Sequence, residues 1–158
     1  MIILGVDLGI RNYAVSCFNT NNLEVLFTKN FTTDSKTEHR FRLKQIEDFT
    51  DEVISNYKPE VVIYEKNYCQ LSDAGSALIN VEGILLTTTT KYDFIKVVSN
   101  YSAKQVKKKI TTNGNASKLD MITAANKLFK LTNKNDHVAD SLLIGYCYLI
   151  DNNLIETK

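Results

Sequence analysis

Two short apolar runs in this chain each end on a carboxylate. Ile2-Ile3-Leu4-Gly5-Val6 leads into Asp7, and Val61-Val62-Ile63-Tyr64 leads into Glu65. Runs of this length, rich in β-branched residues, read as buried strands. An acid closing such a strand is costly unless it is paired or metal-bound. If the two strands are parallel neighbours, both acids emerge at one carboxyl edge of the sheet, where open α/β sheets bind ligands. Either acid alone reads equally well as a strand-end turn residue. The coincidence of two favours a site.

The rest of the pattern completes a sheet around these runs. Arg11–Phe18 and Leu23–Phe31 read as two more strands, joined through the turn-forming Asn19-Thr20-Asn21-Asn22, so the first three strands form an antiparallel meander. From Lys36 to Tyr57 the period changes. Leu43, Ile46, Phe49, Val53 and Tyr57 recur every three or four residues, marking a helix that Pro59 ends. A helix over Ser72–Leu86 turns Ala77, Leu78, Val81 and Leu85 inward, and a fifth strand covers Phe94–Val98. Helices follow at Ser102–Lys109, Lys118–Lys130 and Asp136–Ile150. The fold class is α/β: a five-stranded mixed sheet, three antiparallel strands then two parallel, flanked by helices. A length of 158 residues suits one domain over 1–158, and neither a repeat nor a Pro/Gly linker divides it.

Charge is distributed unevenly. Met1–Thr90 holds 8 basic and 12 acidic side chains, Lys91–Lys134 holds 10 against 2, and Asn135–Lys158 holds 1 against 4. A basic segment beside acidic flanks is what a metal-dependent enzyme acting on a polyanion needs; a solvated lysine-rich surface explains it equally well. Cys17, Cys69 and Cys147 are far apart and form no CxxC pair, which argues against a disulfide framework or a cysteine-rich zinc site. No apolar run approaches the ~20 residues of a membrane span. MIILGVDLG lacks the basic start and cleavage site of a signal peptide. The expectation is a soluble intracellular protein with reduced thiols and no membrane contact.

A third acidic cluster is Asp136-His137-Val138-Ala139-Asp140. His137 and Asp140 share one helix face by their i, i+3 spacing, and Asp136 is a plausible N-cap. With Asp7 and Glu65 the set offers carboxylates and one imidazole. Hard carboxylate oxygens suit Mg²⁺ or Mn²⁺ rather than structural zinc. Two such ions ~3.5–4 Å apart can hold an attacking water and the leaving oxygen of a phosphodiester in line.

Four blocks, in order, carry a family pattern over nearly the whole chain: Gly5-Val6-Asp7-Leu8-Gly9-Ile10-Arg11-Asn12; Val62-Ile63-Tyr64-Glu65-Lys66-Asn67-Tyr68; Ala103-Lys104-Gln105-Val106-Lys107 with Gly114-Asn115-Ala116-Ser117-Lys118; and His137-Val138-Ala139-Asp140-Ser141. Together they resemble the RuvC family of Holliday-junction resolvases, on the RNase H-like fold. The Gly-Ile-Arg-Asn form is closest to mitochondrial and viral members, and Val-Ala-Asp-Ser is also how poxvirus members read. The resemblance implies a structure-selective endonuclease that resolves four-way DNA junctions by paired nicks, leaving 5′-phosphate and 3′-hydroxyl ends. It implies Asp7, Glu65, His137 and Asp140 as catalytic residues holding two Mg²⁺ ions, with Mn²⁺ also supporting activity. The first residue of the last pair is Asp in many members and His in some. His137 therefore admits two roles, ligand or general base, with Asp136 as an alternate carboxylate.

The resemblance further implies that Tyr68 stacks on a base opened at the junction, and that Lys104, Lys107, Lys108 and Lys118 contact phosphates. A turn at Asn113-Gly114-Asn115 would let backbone N–H groups approach the strand. Partners are branched DNA and a second copy of the chain, since symmetric nicking calls for a two-fold axis. The helix Ser72–Leu86, with Ala77, Leu78, Ile79, Val81, Ile84, Leu85 and Leu86, offers the dimer surface. A viral source would place the protein in the host compartment of DNA replication. Rival readings are an RNase H-type nuclease on RNA–DNA hybrids and a non-catalytic branched-DNA-binding module. The latter has no use for Asp7 and Glu65, which repel a polyanion when no cation is bound.

Overall fold

The computed structural model describes residues 1–66 and 72–154, the side chain of Asp73 excepted. Tyr68, and with it the expected base-stacking contact, lies outside the described residues. The sheet has the order β3-β2-β1-β4-β5. β1 (Ile2–Asp7), β2 (Asn12–Asn19) and β3 (Val25–Thr32) form the antiparallel meander, while β4 (Val61–Glu65) and β5 (Val97–Tyr101) run parallel to β1. The expected mixed sheet is therefore present. Helices α1 (His39–Tyr57) and α2 (Asp73–Thr89) cover one face; α3 (Ala103–Thr111), α4 (Lys118–Phe129) and α5 (Asp136–Asp151) cover the other.

Strand alternation sorts the residues between two cores. Leu4, Val6, Leu8, Val62 and Tyr64 pack with Ile46, Val53, Val81 and Leu85 under α1 and α2. Ile3, Val61 and Ile63 pack with Val106, Met121, Leu142 and Leu143 under α3, α4 and α5. Asp7 continues the odd-numbered series of β1, and Glu65 that of β4. Both acids thus belong to the α3–α5 face.

Three expectations shift. The fifth strand lies at Val97–Tyr101 rather than Phe94–Val98. Phe94 and Ile95 instead form a turn, with Ile95 N–H donating to the Tyr92 carbonyl, and pack against the α1–α2 core. Ladder pairing begins only where Lys96 N–H reaches the Glu60 carbonyl. The helix expected over Ser72–Leu86 runs on to Thr89, with Ser72 as its N-cap accepting from Gly75 N–H. Thr89 Oγ1 donates to the Leu86 carbonyl at 2.7 Å and Thr88 is buried, so tertiary packing overrides the modest helix preference of threonine. The N-cap of α5 is Asn135, whose side chain accepts from Val138 N–H at 3.0 Å; Asp136 is the first helical residue.

Candidate active site

Register brings the two strand-end acids together. β1 and β4 pair in parallel as Gly5↔Ile63 and Val6↔Tyr64, so the next step along both strands places Asp7 beside Glu65. Helix α5 crosses above them and points its first turn at the same edge. His137 Nδ1 stands 2.7 Å from Asp7 Oδ2. A carboxylate only accepts, so Nδ1 carries the proton and Nε2 is the acceptor of the neutral ring. Asp7 is 9% exposed, and this bond partly offsets its burial.

The electrostatics are those of crowded acids in a half-buried floor. Burial, followed by the charges of Asp7 and Asp140, pushes Glu65 up to about 7, against partial relief from Lys107 and His137. Burial, followed by Asp7 and Asp136, pushes Asp140 up to about 6. The hydrogen bond to Asp7 raises His137, working against its burial. Asp136 is instead held below the usual carboxylate range by Lys118, whose Nζ reaches its Oδ2 at 2.5 Å. Glu65 and Asp140 line a hollow of ≈ 140 Å³ with Lys107, Lys118, Ala103, Val106 and Met121.

Among the described residues, no three His, Cys, Asp or Glu side chains converge at metal-ligand spacing. The donor set nevertheless suits a divalent cation. Its mutually repelling carboxylates offer hard oxygens whose charge a cation would neutralise. An imidazole oriented by a carboxylate through one nitrogen presents the other, as metal-ligating histidines do. Asp7, Glu65, Asp140 and the Nε2 of His137 are the groups able to hold it.

The lysines expected on one helix face divide. Lys107 turns into the acidic hollow, whereas Lys108 lines a separate depression with Gln105 and Lys109. Lys104 lies along Gly114, where an added Cβ would meet its Cγ at 3.2 Å. In the Asn113–Asn115 turn, Asn113 N–H donates to Thr111 Oγ1, and further groups that follow are also engaged. Asn115 N–H donates to Asn113 Oδ1, Ala116 N–H to the Asn113 carbonyl, and Ser117 N–H to Asp120 Oδ2. Residues that sequence reasoning did not single out are Val106 and Met121, the apolar wall of the hollow, and the Lys118–Asp136 pair. The helical periods around 106 and 121 mark both as core, but nothing in a linear pattern says which core residues border a site.

A family model described as "Crossover junction endodeoxyribonuclease RuvC" matches residues 3–148. The protein of that name from Caldanaerobacter subterraneus subsp. tengcongensis is 30% identical over 99% of this chain and 96% of its own. The one from Wolbachia pipientis wMel is 31% identical over 92% of each. Among solved structures, Thermus thermophilus RuvC in complex with a Holliday junction substrate superposes with a TM-score of 0.85 at 19% identity, covering 98% of this chain and 96% of that one.

Proposed function

The chain belongs to the RuvC family of crossover junction endodeoxyribonucleases, and we propose that it resolves four-way DNA junctions by paired symmetric nicks. The observation that carries this reading is the meeting of Asp7, Glu65, His137 and Asp140 at one sheet edge, rimmed by Lys107 and Lys118. The RNase H-like fold shared with Thermus thermophilus RuvC, solved in complex with a Holliday junction substrate, supports it.

Metal dependence goes with the family, and we assign Mg²⁺, two ions per site, with Mn²⁺ as an active substitute. Held by Asp7, Glu65, Asp140 and His137, such ions would supply Lewis-acid activation of the attacking water and charge stabilisation at the leaving 3′-oxygen, for 5′-phosphate and 3′-hydroxyl ends. The chain's own residues do the rest. Asp7 fixes the ring of His137 through Nδ1 and so aims Nε2 as a ligand. Glu65 and Asp140 give up their elevated proton affinity when their charge is neutralised. Lys107 and Lys118, with Lys104 and Lys108 further out, hold phosphates. Tyr68, three residues after Glu65, stacks on an opened base.

One such site per chain cuts one strand, so the acting unit is a C₂ homodimer. The exposed Ile79 and Leu86 of α2 support this face as the contact. Residues 1–158 are read as one nuclease domain. The experiment is to incubate the protein with labelled four-way junction, linear duplex and RNA–DNA hybrid, with and without Mg²⁺. Cleavage of the junction alone, at symmetric positions and only with the cation, is the expected result. Preferential cutting of the hybrid would make it an RNase H, and binding without cutting a DNA-binding module.

A further inference from the structure

Helix α5 carries two of the four site residues, so its placement on the sheet fixes how they stand to the other two. The contact that governs this placement lies just below the site. Gly5 and Ser16 are cross-strand partners in β1 and β2, and both meet Ser141 of α5. A Cβ on Gly5 would overlap the Ser141 carbonyl oxygen and stand 3.3 Å from the Gly145 nitrogen. Backbone, not a flexible side chain, blocks it, so helix and strand touch main chain to main chain. The Ser16 and Ser141 hydroxyls are 2.5 Å apart and both residues are fully buried. Ser141 Oγ also donates to the Val138 carbonyl at 2.9 Å. A hydroxyl has one proton, so Ser16 is the donor and Ser141 the acceptor of the pair.

We propose that this seam is the register stop of the active site: the Gly5 contact sets the height of α5 above β1, and the Ser16–Ser141 bond sets its position along the strand, which makes Ser16 and Ser141 positioning residues for cation capture. Asp7 lies two residues beyond Gly5 on the same strand face, while His137 and Asp140 lie four and one residues before Ser141. A slide of the helix is thus passed directly to the ligands. Apolar contact is non-directional and resists such a slide poorly. A buried hydrogen bond is directional, and separating it strands a polar group. Two alanines would fill the seam as well as two serines, so the hydroxyls contribute direction rather than volume.

The inference rests on the carboxylate–imidazole site proposed above, and its test separates the two. The variants, in the full chain, are Ser16→Ala with Ser141→Ala as a double, and Gly5→Ala. Removing both hydroxyls leaves no orphan donor, so the double variant melts close to wild type. In that variant the Mn²⁺ concentration giving half of the cation-induced rise in melting temperature increases about tenfold. Junction cleavage at saturating substrate falls about 10²-fold, the loss an ångström-scale misplacement produces. Cation-free junction affinity stays unchanged. The Nδ1–H resonance of His137, one of 2 histidines, shifts in the metal-free protein. A seam that merely holds the fold together moves the melting temperature alone. Gly5→Ala extends the same losses, and if it fails to fold the double variant decides. A double variant with the wild-type Mn²⁺ midpoint and an unmoved His137 resonance overturns the proposal alone. A wild type that gains no stability from Mn²⁺ overturns the site reading and the proposal with it.

Discussion

Helices α5 and α2 are both largely apolar and lie on opposite faces of one sheet, yet a single chain finishes only one of them. In α5 nine residues from Val138 to Leu149 are buried, and a Cβ on Gly145 would press within 2.8 Å of Phe18. In α2 only Val81 and Leu85 are buried among the large apolar residues, Ile79 is 58% exposed, and a Cβ on Gly83 would meet nothing within 4 Å. Gly83 and Ile79 line an open groove against α1. The same residue type is a tight fit in one helix and idle in the other. The difference teaches that α5 is placed by its own chain, as a helix carrying the proposed site residues must be, whereas α2 leaves part of its apolar side uncovered, the face proposed above for a second copy.

The largest expected effect breaks the site on the α5 side. Asp7→Asn, Glu65→Gln or Asp140→Asn lowers junction cleavage by about 10²–10³-fold or more, the scale for losing a group that stabilises the transition state. Junction binding is retained or strengthened, since each change removes negative charge near DNA. Single-turnover cleavage with Mg²⁺, beside a cation-free gel shift, checks this. Cleavage at the wild-type rate would take that residue out of the site.

On the α2 side the corresponding test is Ile79→Glu. The change touches no residue of the site and adds an exposed charge to a helix surface, so the fold tolerates it. A dimer built on this face falls apart to monomers in sedimentation equilibrium at micromolar concentration, and paired nicking gives way to unpaired single nicks. An unchanged dimer would move the interface elsewhere. Two glycine substitutions sharpen the contrast. Gly145→Ala overpacks against Phe18 and Ile3 and destabilises by about 1–3 kcal/mol. Gly83→Ala adds a better helix former in open space and leaves the monomer unharmed or stabilised by about 0.5–1 kcal/mol. Urea unfolding of both variants under monomeric conditions reads the difference.

Much of this contrast was legible in the sequence because it depends on period. Two apolar runs each closing on an acid put Asp7 and Glu65 at one strand edge, and i, i+3 spacing put His137 with Asp140. The structure joins these through parallel pairing and the His137–Asp7 bond. What failed depended on local competition rather than period. Phe94 and Ile95 are as strand-like as any residues, but they complete the α1–α2 core from a turn, and no periodic signal distinguishes the two uses. Lys104, Lys107 and Lys108 fit one helix face, but the neighbours that divide them, Gly114 and the acidic hollow, come from other segments. Around the Asn113–Asn115 turn the Asn115 and Ala116 N–H groups are taken by the Asn113 side chain and carbonyl, a use to which Asn in turns is always prone.

The crowding of charge under α5 makes stability depend on pH in a direction that can be worked out. Glu65 and Asp140 are raised to about 7 and about 6, above the ~4 of unfolded carboxyls. A raised carboxyl binds its proton more tightly in the folded state. Its contribution is therefore full below the unfolded value and is lost as pH rises through the folded one. His137, also raised, loses its contribution in the same direction. The metal-free protein accordingly melts lower at pH 8 than at pH 5. A cation that binds only the ionised set restores the loss at pH 8 and does little at pH 5. With Mg²⁺ at 100 times its dissociation constant the gain is about 2.7 kcal/mol, or about 5–10 °C for a chain of this size. Calorimetry at the two pH values, with Mg²⁺ and with EDTA, measures it. Equal gains at both would detach the cation from these carboxylates.

The smallest effect concerns the basic rim, where α3 and α4 offer lysines of unequal engagement. Lys107 faces the acidic hollow and Lys118 is paired with Asp136, so Lys118 leaves an internal partner when it meets a phosphate. The ion pair of Lys118 is exposed, and pairs of that kind contribute little to stability. Its release to DNA is therefore not prohibitive. Each phosphate contact releases condensed counterions, so log affinity against log salt loses about 0.9 of slope on duplex arms when one contact is removed. Lys107→Ala and Lys118→Ala are each expected to flatten the slope by about that amount, measured with a labelled junction without divalent cation. Asp136→Asn frees Lys118 from its partner and raises affinity at low salt without changing the slope. If Lys118→Ala leaves the slope unchanged while Asp136→Asn leaves the affinity unchanged, Lys118 belongs to α5's N-terminal turn and not to the DNA interface.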